Sequence, residues 1–249
     1  MSDENGSGGT RIRRVLIEGA VIVTSILLAF AIDAAWDERQ EGVREQIALE
    51  SLLAEFQAND SILNDAIQDH RESIERTLRL LRISSEGTVA AEVDGDLDGI
   101  VYDAMVGART TNLSSGAIDA LLSSGDIGLI SDPRLKRMLA AWQGVVEEAL
   151  EEENALTRTR DQVWIPFLLE SVPLLTILRE SSAAPLDGVG LGAGMPDGPD
   201  VDYGALLGSR RLEGILSLRI VQERVIVRDL MQTRDAAREI VARIRVELD

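Results

Sequence analysis

An apolar run at residues 15–32 constrains this chain more than any other feature. Glu18 is the single charged residue within it. As an α-helix rising about 1.5 Å per residue, a run of this length is close to the thickness of the hydrocarbon core of a bilayer. We therefore predict a transmembrane helix at residues 15–35 that attaches the rest of the chain to the lipid bilayer.

Basic residues before the run predict its orientation. Arg11, Arg13 and Arg14 form a short basic flank, and such flanks stay in the cytoplasm. We predict a disordered cytoplasmic tail at residues 1–14 and a periplasmic remainder, in a bacterial inner-membrane protein. These arginines and Trp36 are the predicted anchors at the two membrane interfaces.

A cleaved signal peptide is the competing interpretation of the N-terminal segment. Residues 29–31 read Ala-Phe-Ala, which matches a small-residue cleavage site. The run is longer than the apolar region of a typical signal peptide, contains Glu18 and continues without a turn residue into a helical pattern. These features favour the transmembrane helix.

Composition and motifs exclude several classes of function. The net charge of −18 argues against a nucleic-acid partner, because phosphate binding needs a basic face. The absence of cysteine excludes disulfides, thiolate nucleophiles and cysteine-ligated metals. No pattern resembles a nucleophile triad, a phosphate loop or a dinucleotide fingerprint. We predict no enzymatic activity, no catalytic residues and no cofactor.

Apolar periodicity predicts an all-α fold. A heptad-like seam runs through residues 36–82 and predicts one long helix continuous with the span. The seam consists of Phe56, Leu63, His70 and Thr77, alongside Leu53, Asp60, Ile67, Ile74 and Leu81. His70 is the only histidine, and without a second ligand at suitable spacing we interpret it as a packed or hydrogen-bonded core residue.

Two short helical patterns precede a second long helix. Residues 92–108 and 114–124 predict short amphipathic helices, followed by a turn at 125–128. Asp132 and Pro133 are typical of a helix N-cap and first position. The helix that begins there is predicted to run to Pro166, kink and resume to Leu178. Glu147, Glu148, Glu151, Glu152 and Glu153 are interpreted as a solvated face of this helix.

A linker rich in Gly and Pro at residues 181–203 divides the predicted bundle. Residues 36–180 form its first part and residues 204–249 its last long helix. The three long helices have similar lengths, which predicts an antiparallel bundle. The first helix rises from the membrane, the two short helices cap the distal end, the second long helix descends and the third rises again. In this arrangement the apolar stretch around Trp164 lies toward the membrane, either in the core or at headgroup level.

Two stretches resemble an uncharacterised family of bacterial single-pass membrane proteins known only as a domain of unknown function. One is the apolar helix leading into Ala-Trp-Asp-Glu-Arg-Gln at residues 35–40. The other is Leu-Leu-Ser-Ser-Gly-Asp-Ile within residues 120–130, with the helix that follows. The resemblance implies the architecture of an anchored helical protein and no particular activity.

A polar or small stripe within the span predicts contact with another helix. At 100° per residue its members fall within one narrow arc. They are Glu18, Ile22, Ser25, Ala29, Asp33 and Trp36. Small and hydroxyl residues let helices approach closely in lipid, so this face is predicted to meet a second copy of the chain. The competing interpretation of Glu18 alone is a pair with Arg14 at the membrane edge.

Asp94, Asp96 and Asp98 form an incomplete candidate for a calcium site. Their spacing and Gly99 match the first half of an EF-hand loop, but Met105 stands where the bidentate glutamate belongs. Capping of a short helix is the preferred interpretation.

Taken together, these features predict a single-pass inner-membrane protein. Its periplasmic helical bundle acts as an interaction or sensing module, and the chain associates with itself. The alternative function is a small cation channel with carboxylate rings at Glu18 and Asp33, in which Ile22 would narrow the path.

Overall fold

The computed structural model describes residues 7–86, 97–107, 109–173, 175 and 199–249. Regular secondary structure in this part of the chain is helical, without strands, so the all-α prediction is confirmed. The elements are α1 (Ser7–Glu86), α2 (Leu97–Met105), α3 (Gly116–Ser124), a 3-10 turn (Asp126–Leu129), α4 (Pro133–Thr159), a π-helical turn (Arg160–Trp164), α5 (Ile165–Ser171), α6 (Tyr203–Leu207) and α7 (Arg210–Leu248).

Helix α1 is one uninterrupted helix of 80 residues. The predicted continuity between the apolar run and the long helix is therefore confirmed. The helix also includes residues 7–14, which the sequence assigned to a disordered tail. Arginine is a good helix former, and extending an existing helix adds one backbone hydrogen bond per residue. The first six residues lie outside the described part of the chain.

The N-terminal part of α1 stands clear of the bundle. Described side chains from Glu18 to Arg44 are all exposed, and the core begins at Leu49. Within the described residues, no helical stretch combines the length and apolarity needed to cross a membrane. The side chains of residues 15–17 and 20, which belong to the predicted span, lie outside the described set.

The predicted seam of α1 forms one side of the bundle core. Phe56 and Leu63 are fully buried, and the Phe56 ring meets Trp142 of α4 edge to face at 4.8 Å between ring centroids. Helix α7 contributes the facing residues and packs along both α1 and α4. Its buried apolar residues include Leu212, Ile215, Leu216, Ile226, Leu230, Ala237 and Ile244.

Helix α7 runs antiparallel to α1. Ser84 near the end of α1 bonds the carbonyl of Leu207, just before α7 begins. Toward the other end, Arg238 of α7 pairs with Asp60 of α1 at 2.6 Å. The predicted rising direction of the last helix, parallel to α1, is therefore wrong.

Helix α4 runs parallel to α1, so the predicted descending second helix is wrong. Just before α4, Ser131 bonds Glu45 near the N-terminal end of the α1 core, whereas Glu153 late in α4 contacts His70. Trp164 therefore lies at the distal end, remote from residues 15–35. Trp164, Phe167 and Leu168 are buried, so the core alternative is confirmed for these residues. Val163 and Leu169 are exposed.

The two short helices line the side of α1 and do not cap its distal end. Asp103 of α2 pairs with Arg76, while the start of α3 bonds Glu55, far down α1. Asn59 holds the connecting loop through both backbone groups of Ser114. Glu55 and Asn59 are buried polar side chains, and buried polar groups need hydrogen-bond partners. Their bonds to the backbone of the loop and of α3 hold this segment beside residues 55–59 of α1.

Capping residues fix several helix ends. Asp132 accepts a hydrogen bond from the Arg134 amide, and Pro133 opens α4, as predicted. Gly125 ends α3 at φ 80°, in the predicted turn. The predicted C-terminal helix is interrupted at Gly208, and Ser209 caps α7.

Helix α5 ends at Ser171, earlier than the predicted Leu178. Val172 is extended because Pro173 disfavours a helical conformation in the residue before it. The predicted kink near Pro166 appears as the π-helical turn. Most of the predicted linker lies outside the described residues.

Candidate functional site

A buried ionic network joins α1, α4 and α7 in the distal half of the bundle. His70 lies between two carboxylates: Nδ1 is 2.5 Å from Glu223 Oε2, and Nε2 is 3.4 Å from Glu153 Oε1. All three side chains are at most 4% exposed. An imidazole that donates from both nitrogens is the protonated form, so the arrangement favours an imidazolium between two carboxylates.

Arg219 extends this network to the side of α7 that faces α2. Its guanidinium donates to the carbonyl oxygens of Ala104 and Gly107 and to the hydroxyl of Ser73, which itself donates to Glu223. The Arg219 Cζ atom lies 5.1 Å from the ring centroid of Trp164. Arg219 therefore fixes the segment after α2 against α1 and the π-helical turn.

The network changes the protonation equilibria of its members. Burial alone would lower the pKa of His70, but the hydrogen bonds that His70 donates to Glu153 and Glu223, together with the charges of these carboxylates, outweigh it and raise that pKa to about 9. Burial would raise the pKa of Glu223, but the bond to His70 and the charge of Arg219 bring it below its ordinary value. Each charge therefore stabilises the other at neutral pH.

A polar cavity of about 660 Å³ opens beside this network. Its walls come from α1, from α2 and the loop after it, from the π-helical turn and from α7. The charged side chains that line it are Asp69, His70, Arg76, Asp103, Arg109, Arg160, Asp161, Arg219 and Glu223. Tyr102, Val106 and Ile165 add apolar surface to the lining.

Three arginines at the cavity are less buried than Arg219. Arg109 pairs with Asp69 at 3.0 Å, and Arg160 with Asp161 at 2.8 Å. Arg76 lies 3.4 Å from Glu72 and 3.5 Å from Asp103. Burial, followed by the charges of Arg160 and Arg76, acts to lower the pKa of Arg219, although Glu223 opposes this. The positive groups therefore converge closely enough to repel one another.

The π-helical turn brings α4 residues to this cavity. The amide of Ile165 bonds the carbonyl of Arg160, five residues back. The wider turn accommodates Pro166, which has no amide proton to donate. It places Arg160 and Asp161 at the cavity and Trp164 under Arg219. Such turns occur frequently at functional sites.

The predicted membrane stripe lies on the free part of α1. Glu18, Ile22, Ser25, Ala29, Asp33 and Trp36 are exposed. Ser25 bonds the Val21 carbonyl within the helix. Arg11, Arg13 and Arg14 belong to the helix, but their side chains are outside the described set.

The calcium candidate is only partly described. Asp94 and Asp96 lie outside the described residues, and Asp98 sits in the first turn of α2, where Tyr203 donates a hydrogen bond to it. Within the described residues no group of metal-ligating side chains has the arrangement to hold an ion.

The interpretation of the α4 glutamates needs one correction. Glu147, Glu148 and Glu151 are exposed, but Glu153 is only 2% exposed. It accepts hydrogen bonds from the Thr111 amide and hydroxyl in addition to facing His70. Because α4 packs against other helices on two sides, part of the face that carries its polar residues is buried.

Sequence reasoning placed His70 in the core but missed its partners. Arg219 and Glu223 occupy the apolar stripe of α7 between Leu216 and Ile226, at helical spacing. Charged residues at core positions are the signal that would have found them, because such residues are rarely buried without partners.

Comparisons of this chain with protein-family models, curated proteins and solved structures find no match. The resemblance to the family of unknown function therefore stays a prediction.

Proposed function

We propose that this protein is a single-pass membrane protein whose helical bundle is a periplasmic interaction or sensing module, and that it associates with itself through the predicted stripe. The observation that carries the proposal is the apolar segment of α1 at residues 21–32. Its large apolar side chains are 50–67% exposed and point in every direction around the helix.

This exposure is too extensive for a helix that remains in water. A helix that is apolar on all faces is normally buried in a protein core or a bilayer. The segment exposes Val21, Ile22, Val23, Ile26, Leu27, Leu28, Phe30 and Ile32. Removing their remaining apolar surface from water would contribute on the order of 10 kcal/mol. With the residues before it, the segment has the length of a membrane span.

The continuity of α1 supports a mechanical role for the anchor. No break separates residues 21–32 from the helix that carries Phe56, Leu63 and His70. A change in the packing of the membrane segment would therefore be transmitted along one helix into the bundle. The polar cavity at the far end gives that bundle a place for a ligand.

Self-association is supported by the stripe that runs along this exposed segment. Ser25 and Ala29 are small, and the hydroxyl of Ser25 is directed to its own helix backbone. Close helix contacts in lipid use such residues. The cation-channel alternative has less support, because Ile22 on the same stripe is 60% exposed and would narrow a path.

Single-cysteine cross-linking tests the proposal directly, because the natural chain contains no cysteine. Ala29→Cys places a thiol on the stripe, and Ala31→Cys places a matched thiol on the opposite face. We expect the protein to stay in the membrane pellet after alkaline carbonate extraction and Ala29→Cys alone to form disulfide-linked dimers.

Release of the protein by carbonate would refute the membrane anchor. Equal cross-linking at both positions, or at neither, would refute association through this stripe. Cation flux into liposomes that falls with Glu18→Gln and Asp33→Asn would instead favour the channel.

A further inference from the structure

The cavity beside His70 has an unusual charge for this chain. Its lining carries four arginines and His70 against the carboxylates of Asp69, Asp103, Asp161 and Glu223. With the imidazole protonated, five positive groups of the lining face four negative ones, while Glu153 behind His70 and Glu72 beside Arg76 add two carboxylates outside the lining. The lining is therefore rich in positive groups for a chain of net charge −18.

Two donors at this cavity lack hydrogen-bond acceptors within the described part of the chain. The first is the Nε atom of Arg219, which is buried and has no hydrogen-bond partner there. The second is Arg76 Nε, which forms an ion pair with Asp103 at 3.5 Å but no hydrogen bond. Buried donors without acceptors are costly, so an acceptor-rich ligand would be stabilising.

Arg160 has donors that its neighbours do not use. Its Nε atom bonds Asp161, and its terminal nitrogens bond to no side chain or carbonyl among the described residues. Its position on the π-helical turn brings it to the same cavity as Arg76 and Arg219. An anion between these arginines would relieve their mutual repulsion.

We propose that this cavity binds a small organic carboxylate, with Arg160 and Arg76 holding the carboxylate group and Arg219 positioning the surrounding backbone. The guanidinium fork matches the two oxygens of a carboxylate. The flanking Asp103 and Asp161 disfavour a dianionic phosphate and suit a ligand that also carries hydroxyl or ammonium donors. The volume of about 660 Å³ lies in the range of small-molecule sites, roughly 300–1,000 Å³.

This inference rests on the proposed function, because it gives the sensing bundle its class of ligand. The two can fail separately. Membrane extraction and the Ala29→Cys cross-link depend on residues 18–36, whereas the cavity depends on residues of the bundle. A loss of carboxylate binding would leave both membrane results unchanged.

Isothermal titration of the full chain in detergent micelles tests the site. The probes are acetate, gluconate and L-glutamate, with inorganic phosphate and uncharged glucose for comparison. We expect at least one carboxylate to bind with a Kd below about 10 mM, a value within the range of weak specific sites. Arg160→Gln and Arg76→Gln should each weaken that binding about tenfold, the loss expected for a charged hydrogen bond.

Arg158→Gln is the matched control. Arg158 lies two residues before Arg160, is exposed and does not line the cavity. Its substitution should leave carboxylate binding unchanged. Circular dichroism checks that each variant is folded, and if one of the two test variants does not fold, the other carries the test.

Three results would overturn the proposal. The first is no binding of any of the three carboxylates, and the second is tighter binding of phosphate than of every carboxylate. The third is equal weakening by Arg158→Gln, which would reveal a diffuse effect of net charge in place of a specific site.

Discussion

The His70 network predicts that the bundle loses stability as the pH rises from about 6.5 to 9. The folded-state pKa of His70 is raised from 6.5 to about 9. A group whose pKa is raised by folding contributes its full stabilisation below the unfolded pKa. That contribution declines as the pH rises and is lost above the folded pKa.

The magnitude follows from the size of this difference. Each pKa unit corresponds to about 1.4 kcal/mol, so a rise from 6.5 to about 9 corresponds to about 3 kcal/mol of unfolding free energy. The imidazole is 4% exposed, so solvent screens it little. Glu223 acts in the opposite direction: its lowered pKa gives stabilisation that is present above 4.5 and lost on acidification. Stability from this pair is therefore greatest between about pH 4.5 and 6.5.

Two measurements check this prediction. His70 is the only histidine, so its imidazole resonances in a proton NMR titration need no assignment among histidines. Urea unfolding in detergent micelles, followed by the fluorescence of buried Trp142 and Trp164, gives the free energy at pH 6 and pH 9.5. We expect an NMR pKa near 9 and a loss of about 3 kcal/mol between the two pH values.

His70→Gln is the matched variant, because it keeps a polar side chain without the titrating charge. It should be less stable at pH 6 by about 3 kcal/mol, since it removes the charged partner of buried Glu153 and leaves buried Glu223 with Arg219. The unfolding free energy of this variant should also not fall between pH 6 and pH 9.5. An NMR pKa near 6.5, or the same stability at both pH values in the natural chain, would refute the reasoning.

Three further predictions concern the bundle. Phe56→Ala should cost about 3–5 kcal/mol in urea unfolding, because it removes a fully buried ring that packs on Trp142; a cost below about 1 kcal/mol would contradict this packing. Glu55→Ala should speed hydrogen exchange at the first amides of α3, which its carboxylate caps, while the amides in the middle of α7 keep their protection. Gly125→Ala should destabilise by about 1 kcal/mol at φ 80°, whereas Gly144→Ala on α4, where an added Cβ meets nothing within 4 Å, should stabilise by a similar amount; effects of the same sign would refute the assigned conformations.

Local features of the sequence predicted most of the helices. The heptad-like seam of α1 identified Phe56, Leu63, His70 and Thr77 as core positions, and all four are buried. Asp132 and Pro133 predicted the start of α4. These signals depend on interactions within one or two helical turns, so they can be recognised without knowledge of the fold.

The direction of α4 could not be predicted in the same way. Similar helix lengths favoured an up-and-down bundle, but Glu45, Glu55 and Asn59 on α1 bind the backbone of residues 114–131 and return that segment to the proximal end. The chain therefore reaches the start of α4 beside the start of the α1 core. The apolar pattern of the sequence is compatible with either direction of α4. Polar contacts between residues far apart in the sequence determine which direction forms.

The sequence by itself determined that the chain is all-helical, that one long helix continues from the apolar run into the bundle, and that His70 lies in the core. Only the tertiary structure decided that Glu153 of α4 and Glu223 of α7 meet that histidine, and that Arg76, Arg160 and Arg219 converge on one cavity. Helical periodicity is encoded locally, residue by residue. The pairing of buried charges depends on which helices become neighbours and in which direction they run, because a charge is stable in the core only where another helix brings its partner.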